Sequence, residues 1–515
     1  MLFRGQEERA EAHSRCEPAY FPDLNLDQIL SSLTCGREAY DLAPFFRVRL
    51  GSVETIAYRQ AVFRDLHDNK EVSRGVEQFA ADMRNMRMLH KRAAELRNRY
   101  QQECWFIEAA DTYCRAARGL EQVLSEATPQ SRALQALSTY LTAYVFSAPF
   151  TQLTTDIKQV RASLNSIRYC MNIAGGKVTV TRYADEDNYG AEVLAAFEKF
   201  KQEEVQSYLV TYKDYVEMNH VEEAVLDKVA VLFPDEFTAM DDFCTNHRDH
   251  VDTVLDDFDR EVHFYLSYLE LTGQLELAGL SFCCPRVGNA SKAIAGRQVF
   301  DLALAEKLVA SGERVVPNDF HLEGDERVLV ISGPNQGGKT TFARTIGQLH
   351  HLAALGCPVP GAEAQLFLCD QLFTHFEHGE NLRDLSGKLH DDLDRIHSVL
   401  QQATSSSIVI MNEVFTSTTL DDALVLGTRV LEQIIERDLL SVCVTFVDEL
   451  SQLGPATVSM TSTVLPDNPA APTFRIVRRP ADGISHALAI ADRYGLTYER
   501  LKERLSARAD VRATS

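Results

Sequence analysis

Apolar residues recur at helical spacing through much of the first half of the chain. Two such runs are Val76, Phe79, Met83, Met86 and His90, and Val251, Leu255, Phe258, Val262 and Tyr265. Spacings of three and four residues place each run along one face of a helix, with charged residues on the other faces. The pattern predicts long, mostly α-helical structure, with helices packed lengthwise, over residues 26–284.

The helical pattern is interrupted at residues 167–183, where apolar and polar residues alternate on either side of Gly175 and Gly176. Alternation with a period of two is typical of strands, and adjacent glycines favour a tight turn. We therefore predict a β-hairpin set into the helical region. Residues 1–25 are polar and contain Pro18 and Pro22, so we predict a flexible tail there and another at residues 506–515.

The pattern changes close to residue 285. Short apolar runs at residues 328–331, 408–411 and 442–446 alternate with helical segments. Continuous apolar runs of this length are typical of parallel strands buried on both faces of an α/β sheet. We therefore predict a multidomain chain, in which the helical region is followed by an α/β domain over residues 285–505.

Composition narrows the class of protein. A chain of 515 residues with 45% hydrophobic and 24% charged residues can form several globular domains. No apolar stretch reaches the ~18 residues of a membrane span, and the N-terminus is too charged for a secretory signal. The eleven cysteines are scattered, as expected for reduced thiols. We expect a cytoplasmic protein without a membrane partner.

The net charge is −22, from 52 Lys and Arg against 74 Asp and Glu. This balance disfavours loose adhesion to DNA, so any contact with nucleic acid must use a local basic surface. Candidate DNA contacts are Arg84, Arg87 and Lys91 on one predicted helix, and Lys158, Arg161, Lys177 and Arg182 around the predicted hairpin. Charge runs are more often solvated helix faces, so this assignment stays open.

A phosphate-binding motif lies between a predicted strand and a predicted helix. It consists of Gly333, Pro334, Asn335, Gln336, Gly337, Gly338, Lys339 and Thr340, followed by Thr341. The motif matches G-x-x-x-x-G-K-[ST], in which glycines let backbone N–H groups converge on phosphate oxygens at a helix N-terminus. We expect Lys339 to reach the β- and γ-phosphates of ATP and the Thr340 hydroxyl to bind Mg²⁺.

A second element follows at residues 407–414, where an apolar strand ends in Asn412 and Glu413. P-loop ATPases usually have Asp-Glu at this point, the Asp holding the shell of the magnesium ion and the Glu polarising the attacking water. Asn412 can still bind a magnesium-bound water, but it brings no charge. We therefore expect Glu413 and Lys339 to be catalytic and hydrolysis to be slow.

Three longer segments of the sequence are similar to segments of a known protein family. They read GPNQGGKTTFARTIGQLHHLAALGCPVPGAEAQL from residue 333, MNEVFTSTTLDDAL from residue 411 and ADGISHALAIADRYGL from residue 481. Together they resemble the ATPase domain of the MutS family of DNA mismatch-repair proteins, and the similarity covers about residues 283–500. More weakly, TIAYRQAVFRDL from residue 55 is similar to the start of the core helices of that family.

This resemblance implies an ABC-type P-loop ATPase domain that follows a helical core, lever and clamp region. It also implies hydrolysis of ATP to ADP and phosphate, and a homodimer formed through the ATPase domains. The chain looks like a short form of the family, since nothing before residue 26 could build a mismatch-recognition or connector domain. The segment that closes the nucleotide of the other subunit falls on Ser386, Gly387 and Lys388.

Several positions depart from the family pattern. Gly387 and Lys388 replace a Ser-Thr pair, and Phe446 replaces a switch histidine. Val315 stands where the family has an aromatic residue that stacks on adenine. With Asn412, these changes imply an ATPase that binds nucleotide but cycles slowly or differently.

Two functions remain open. The first is a MutS-like, slowly hydrolysing ATP-binding protein that holds DNA, without sequence specificity, as a dimeric clamp and works with repair or recombination proteins. The second is a nucleotide-gated scaffold dimer that grips a protein partner, with little hydrolysis and no DNA. The family resemblance favours the first function, and the acidic charge balance together with Asn412 and Phe446 favours the second.

Overall fold

The computed structural model describes residues 17–185, 218–376, 387–465 and 468–481. The chain divides into two compact units. We call residues 1–69, 130–133 and 260–515 the α/β unit, and residues 70–129 and 134–259 the helical unit. The boundary predicted near residue 285 therefore differs from the structure, because the helices before residue 69 belong with the α/β unit.

The helices of the described residues are α1 Leu26–Thr34, α2 Ala43–Arg47, α3 Val53–Asp68, α4 Lys70–Glu95, α5 Arg99–Ala127, α6 Arg132–Val145, α7 Ala148–Ser166, α8 His220–Leu232, α9 Pro234–Asn246, α10 Thr253–Leu277, α11 Leu302–Ala310, α12 Lys339–Ala354, α13 Lys388–Gln402 and α14 Leu420–Glu436. The strands are β1 Tyr169–Ala174, β2 Lys177–Arg182, β3 Phe282–Cys283, β4 Arg286–Gly288, β5 Ile294–Val299, β6 Asn318–Leu322, β7 Val328–Ser332, β8 Val359–Pro360, β9 Glu363–Phe367, β10 Leu372–Phe376, β11 Ile408–Asn412, β12 Leu440–Val444, β13 Thr457–Leu465 and β14 Asn468–Arg478.

Within the helical unit, α4 and α5 pack closely along each other. The predicted apolar stripe of α4 is buried from Val76 to Met86, and His90 at its end is half-buried. Gly75 on α4 faces Val123 on α5 so closely that a Cβ at position 75 would lie 2.5 Å from Val123 Cγ1. Spacing of three and four residues identified the buried face correctly because that face is the one that packs.

The predicted hairpin is present in the helical unit. Strands β1 and β2 pair antiparallel from Tyr169↔Arg182 to Ala174↔Lys177. Gly175 and Gly176 form the two-residue turn with φ of 58° and 77°. Positive φ at both turn positions is the geometry that the right-handed twist of the strands favours, and glycine adopts it at little cost.

The main sheet of the α/β unit has the strand order β10-β11-β12-β7-β13-β14. The first five strands are parallel, and β14 pairs antiparallel with β13. The three predicted strands are β7, β11 and β12, which are buried along their whole length. Ile396 and Leu400 of α13 and Leu431 of α14 pack in one core cluster with alternate residues of these strands.

A second, smaller sheet in the α/β unit has the order β4-β9-β5-β6. Strand β9 pairs parallel with β4 and antiparallel with β5. The short strands β3 and β8 pair with each other. These pairs come from residues that carry little periodicity, which is why the sequence pattern did not predict them.

Residues 17–25 contradict the predicted flexible tail. Phe21 and Leu24 are 1% and 0% exposed. Leu24 packs on α12 at Gly347, where a Cβ would lie 2.6 Å from Leu24 Cδ2, and its carbonyl oxygen accepts a bond from Gln348 Nε2 at 2.8 Å. Prolines suggested disorder, but the apolar residues between them are buried against the helix. Residues 1–16 and the second predicted tail lie outside the described residues.

Helix α3 also belongs to the α/β unit through direct bonds. Arg59 is 1% exposed and donates from Nη1 to Leu355 O at 3.0 Å. Gln60 Nε2 donates to Pro285 O at 3.0 Å. Amphipathic spacing predicts that a helix packs, but it does not say against which partner, so this association was not visible in the sequence.

Candidate functional site

The glycine-rich loop connects the last residue of β7, Ser332, to the first residue of α12, Lys339. Its backbone has φ of 116° at Gly333, 62° at Gln336 and 88° at Gly338. These values lie in the left-handed region, which glycine adopts readily and glutamine seldom does. A non-glycine residue held there stores backbone strain, which is typical of ligand-binding loops.

Strand β13 lies directly against this loop. A Cβ at Gly333 would stand 2.8 Å from Ser462 Oγ, and a Cβ at Gly337 would clash with the same atom. Both positions therefore require glycine because another chain segment approaches closely. Ser462 was not identified from the sequence, because a serine within a strand carries no signal of this contact.

Lys339 is the centre of positive charge in the loop. Its side chain is 4% exposed, and Nζ donates to Gly333 O at 2.7 Å. Nζ lies 4.0 Å from Glu413 Oε1. Burial lowers the pKa of Lys339 below its usual range, while the negative charges of Glu413 and Asp448 act in the opposite direction. The structure thus brings together the two residues that the sequence marks as catalytic.

Asn412 ends β11 and Glu413 follows it, as the sequence pattern indicates. Asn412 is 8% exposed, and the Glu413 side chain is 33% exposed. The φ angle of Glu413 is 53°, and its backbone N–H donates to Val444 O at 2.9 Å. Because this bond extends the pairing of β11 with β12, it holds Glu413 at the end of the sheet in a backbone conformation that glutamate seldom adopts.

Three buried polar atoms in this region have no hydrogen-bond partner among the described residues. They are Ser332 Oγ, Asn412 Oδ1 and Ser462 Oγ. Leaving such an atom without a partner costs about 1–3 kcal/mol, so a polar ligand that bonds to it would recover that free energy. Asn412 Oδ1 can accept a bond from a metal-bound water, and the serine hydroxyls can donate to phosphate oxygens. The residues present therefore fit a nucleotide with a hydrated magnesium ion.

Phe474 of β14 is a neighbour of the loop that the sequence did not reveal. A Cβ at Gly338 would be in van der Waals contact with Phe474 Cδ1 at 3.7 Å, and the ring is 49% exposed. Phe474 has φ of 59°. Asn318 holds this conformation by donating from Nδ2 to Phe474 O at 3.1 Å and accepting from Ile476 N–H at 2.7 Å. Val315, the expected stacking position, is half-buried ahead of β6.

The remaining predicted site residues lie at strand and helix ends. Thr340 and Thr341 are half-buried in the first turn of α12. Phe446, just beyond β12, is 44% exposed. Gly387 is the residue before α13 and Lys388 is the first residue of that helix, whereas Ser386 lies outside the described residues.

The candidate DNA contacts divide into two groups. Arg87 pairs with Asp256 at 2.8 Å and with the buried Asp259. Arg161 pairs with Asp111 at 2.9 Å and also with Glu108. Arg182 stacks on Phe233, with Cζ 4.8 Å from the ring centroid. The other group is exposed and comprises Arg84, Lys91, Lys158 and Lys177. Pairing with carboxylates reduces the charge that Arg87 and Arg161 could offer to a phosphate, whereas Arg182 is exposed and contacts neutral groups, the Phe233 ring and Leu232 O.

The parallel sheet, the loop after β7 and the helix α12 form an α/β strand–loop–helix unit of the kind that binds phosphate groups. Residues 329–493 match the family model described as MutS domain V. None of the helices in the described residues has the length and hydropathy of a membrane span.

Curated relatives show the same similarity. Endonuclease MutS2 of Gemmatimonas aurantiaca is 31% identical over 204 residues, which are 38% of this chain and 25% of the relative. DNA mismatch repair protein MutS of Chlorobium phaeovibrioides is 29% identical over 208 residues, 39% of this chain and 24% of the relative. The matched region thus spans about a quarter of these relatives. The resemblance to the MutS family is confirmed over the C-terminal part of the chain.

Proposed function

We propose that this chain is a MutS-like ATP-binding protein that hydrolyses ATP slowly and associates with DNA as a dimeric clamp. The glycine-rich loop between β7 and α12 carries the proposal. Lys339, the strained loop backbone and three buried polar atoms without partners are grouped there. The match of residues 329–493 to MutS domain V supports the same assignment.

ATP would bind with its phosphates against the backbone N–H groups of the loop and the first turn of α12. Phosphate oxygens are better acceptors for Lys339 Nζ than Gly333 O, since they carry negative charge and the carbonyl oxygen is neutral. Ser332 and Ser462 would donate their hydroxyls to the same anion. Glycine at positions 333 and 337 keeps the backbone close to β13, so the loop is preformed.

When bound, Mg²⁺ would neutralise charge on the phosphates. The Thr340 hydroxyl and, through a water, Asn412 would hold it. Glu413 would accept the proton of the attacking water, since its carboxylate is partly exposed and close to Lys339. Because Asn412 contributes no charge to the magnesium shell, we infer that hydrolysis is slow while binding persists.

The adenine base would stack on Phe474. Its exposed ring lies beside Gly338 at the start of α12, and Asn318 fixes its backbone on both sides. An aromatic ring contributes about 0.5–1.5 kcal/mol to stacking beyond its buried area. Phe474 would thereby supply the aromatic contact that Val315 does not.

The DNA-binding part of the proposal rests on the relatives, which include proteins named DNA mismatch repair protein MutS. Phosphate contacts would come from the exposed cations of the helical unit: Arg84, Lys91, Lys158 and Lys177. The dimer would form through the ATPase parts, with Ser386, Gly387 and Lys388 of one subunit at the nucleotide of the other. Repair or recombination proteins would be its partners in the cytoplasm.

The second candidate function is a nucleotide-gated scaffold that grips a protein partner. One observation favours it: Arg87 and Arg161 are paired with carboxylates within the helical unit and so are less available to DNA. The net charge of −22 also favours the scaffold, because a negatively charged protein is repelled by DNA.

Calorimetry with ATP and MgCl₂ tests the nucleotide site. We expect binding to the intact chain and none to Lys339→Ala, while Glu413→Ala binds ATP but does not hydrolyse it. Phe474→Ala should weaken the binding of ATP but not the binding of tripolyphosphate, because tripolyphosphate has no base to stack on the ring. If the intact chain shows no magnesium-dependent affinity for ATP, the proposed function is wrong.

A further inference from the structure

A large cavity in the α/β unit lies outside the proposed nucleotide site. Its volume is about 960 Å³, and it opens between the chain before α1, the segment after α2, strand β10 and helix α13. Small-molecule sites usually measure about 300–1,000 Å³, so this cavity could hold a ligand of nucleotide size. None of the residues of the glycine-rich loop lines it.

Three arginines, Arg47, Arg49 and Arg395, line this cavity. The Nε atoms of Arg47 and Arg49 are both buried without a hydrogen-bond partner among the described residues. A buried N–H of a guanidinium group without an acceptor is costly, since the charge is desolvated and one of its five donors is unused. Two of the arginines that line the cavity therefore each keep an N–H without an acceptor among the described residues.

Carboxylates do not neutralise this charge fully. Arg47 pairs with Glu17 at 2.6 Å, but Arg49 and Arg395 have no carboxylate within 4.0 Å in the part of the chain that the structure describes. Arg49 donates from Nη2 to Cys369 O at 2.6 Å, and Arg395 donates from Nη1 to Phe376 O at 3.4 Å. Both of these bonds are to neutral carbonyl groups, although the negative charge of Asp370 also acts on Arg49 from beyond ion-pair distance.

Two acidic residues, Asp23 and Asp370, also line the cavity. Asp370 accepts a bond from Ser407 Oγ at 2.7 Å, and Asp23 accepts one from Thr374 Oγ1 at 2.6 Å. Both carboxylates are therefore bonded to hydroxyl groups of neighbouring segments. Neutral donors complete the lining at Asn289, Ser398 and Gln402.

We propose that this cavity binds a phosphate-bearing small molecule through Arg49 and Arg395, with Arg47 as a further donor. A phosphate group carries nearly two negative charges and three acceptor oxygens, so several guanidinium groups can share it. A single carboxylate has two oxygens and suits one arginine. In a chain with a net charge of −22, a cavity lined by three arginines and two carboxylates is a local concentration of guanidinium donors, which favours an anion there.

Binding can be measured without interference from the glycine-rich loop. The Lys339→Ala chain is titrated by calorimetry with inorganic phosphate, tripolyphosphate and AMP, in EDTA and at low salt. We expect one anion per chain to bind. Arg395→Gln and Arg49→Gln, each made in the Lys339→Ala chain, should weaken binding about tenfold or more, because each removes a charge-assisted bond. The three probes distinguish a free phosphate from a phosphate ester of a nucleoside.

Arg429→Gln is the matched control, because Arg429 is 77% exposed on α14 and pairs with Glu432 on the same helix. It should leave anion binding unchanged. Arg395 is exposed on α13, so Arg395→Gln should unfold at the same temperature as its parent even if Arg49→Gln does not. Absence of binding to the Lys339→Ala chain, binding that survives Arg395→Gln, or a preference for a polyglutamate peptide over every phosphate probe would overturn the proposal.

Discussion

Asn412 and Glu413 occupy adjacent positions with opposite solvation. The amide oxygen of Asn412 is buried without a partner, whereas the Glu413 carboxylate is partly exposed beside Lys339. A buried carboxylate at position 412 would need a cation to compensate its charge, and a neutral amide does not. The asparagine therefore avoids this cost, but it would form a weaker bond to a magnesium-bound water than a carboxylate would.

Asn412→Asp should raise the rate of ATP hydrolysis. A carboxylate forms a charge-assisted bond to a water of the magnesium shell, about twice as strong as that of the amide. We expect a gain of about tenfold, equivalent to about 1.4 kcal/mol of barrier, measured in single turnovers. The gain should vanish in the double variant Asn412→Asp with Glu413→Ala. A lower rate in Asn412→Asp would show that the amide itself has a positive role.

At the scale of elements, close contacts between helices identify the positions where glycine is required. Gly75 of α4 has no space for a Cβ because Val123 of α5 lies against it, whereas Gly119 of α5 has no atom within 4 Å of that position. The two glycines look alike in the sequence. Only the first one allows helices to approach, and the second one merely weakens its helix.

Gly75→Ala should destabilise the helical unit by about 1–3 kcal/mol, because the added methyl group overpacks against Val123. Gly119→Ala should instead stabilise it by up to about 1 kcal/mol through helix propensity. Urea unfolding of both variants, followed by circular dichroism, measures these changes. Combining Gly75→Ala with Val123→Ala should restore part of the loss. Equal effects of the two single substitutions would contradict the packing of α4 on α5.

Helix α12 carries two buried histidines that make the α/β unit sensitive to acid. Burial lowers the pKa of His350 to about 4 and that of His351 to about 3. In the unfolded chain, histidine titrates near 6.5. Between pH 6.5 and 4 the unfolded chain therefore binds protons that the folded one does not, so stability falls as pH falls, by about 1.4 kcal/mol per pH unit for each histidine.

His350→Leu should make thermal unfolding less dependent on pH in this range. His350 Nδ1 bonds to Ile346 O at 2.8 Å, and Nε2 is buried without a partner among the described residues, so leucine removes little favourable bonding. Melting temperatures at pH 7 and at pH 5 measure the effect, and exposed His397 on α13, substituted by Gln, is the control. An unchanged slope for His350→Leu would mean that other groups dominate acid unfolding.

The same elements show what the sequence could predict. The hairpin, the parallel strands and the glycine-rich loop could be predicted because each depends on the local spacing of apolar residues or on local turn residues. The structure has all three of these elements. Phe474 and Ser462 could not be found in this way, because their approach to the loop depends on β13 and β14 lying beside β7. Arg59 was missed for a similar reason, since helical spacing does not specify which unit a helix joins.

At the scale of the whole molecule, charge decides between the two candidate functions. The chain has a net charge of −22, so long-range electrostatics oppose binding to DNA. Only local cations can offset this repulsion. Because Arg87 and Arg161 are already paired with carboxylates, the exposed cations of the helical unit must supply the contacts.

Substitutions at Lys158 and Arg161 of α7 can distinguish an exposed cation from a paired one. Lys158 is exposed, whereas Arg161 pairs with Glu108 and Asp111. If DNA is bound, log Kd should rise with log salt concentration at about 0.9 per phosphate contact. Lys158→Ala should reduce that slope by about one contact and weaken binding to every sequence alike, whereas Arg161→Ala should leave the slope unchanged. Fluorescence anisotropy with branched, mismatched and plain duplexes, with and without ATP, measures the affinity and its salt dependence.

If no duplex binds at low salt in any nucleotide state, the clamp hypothesis is wrong, and the scaffold that grips a protein partner remains.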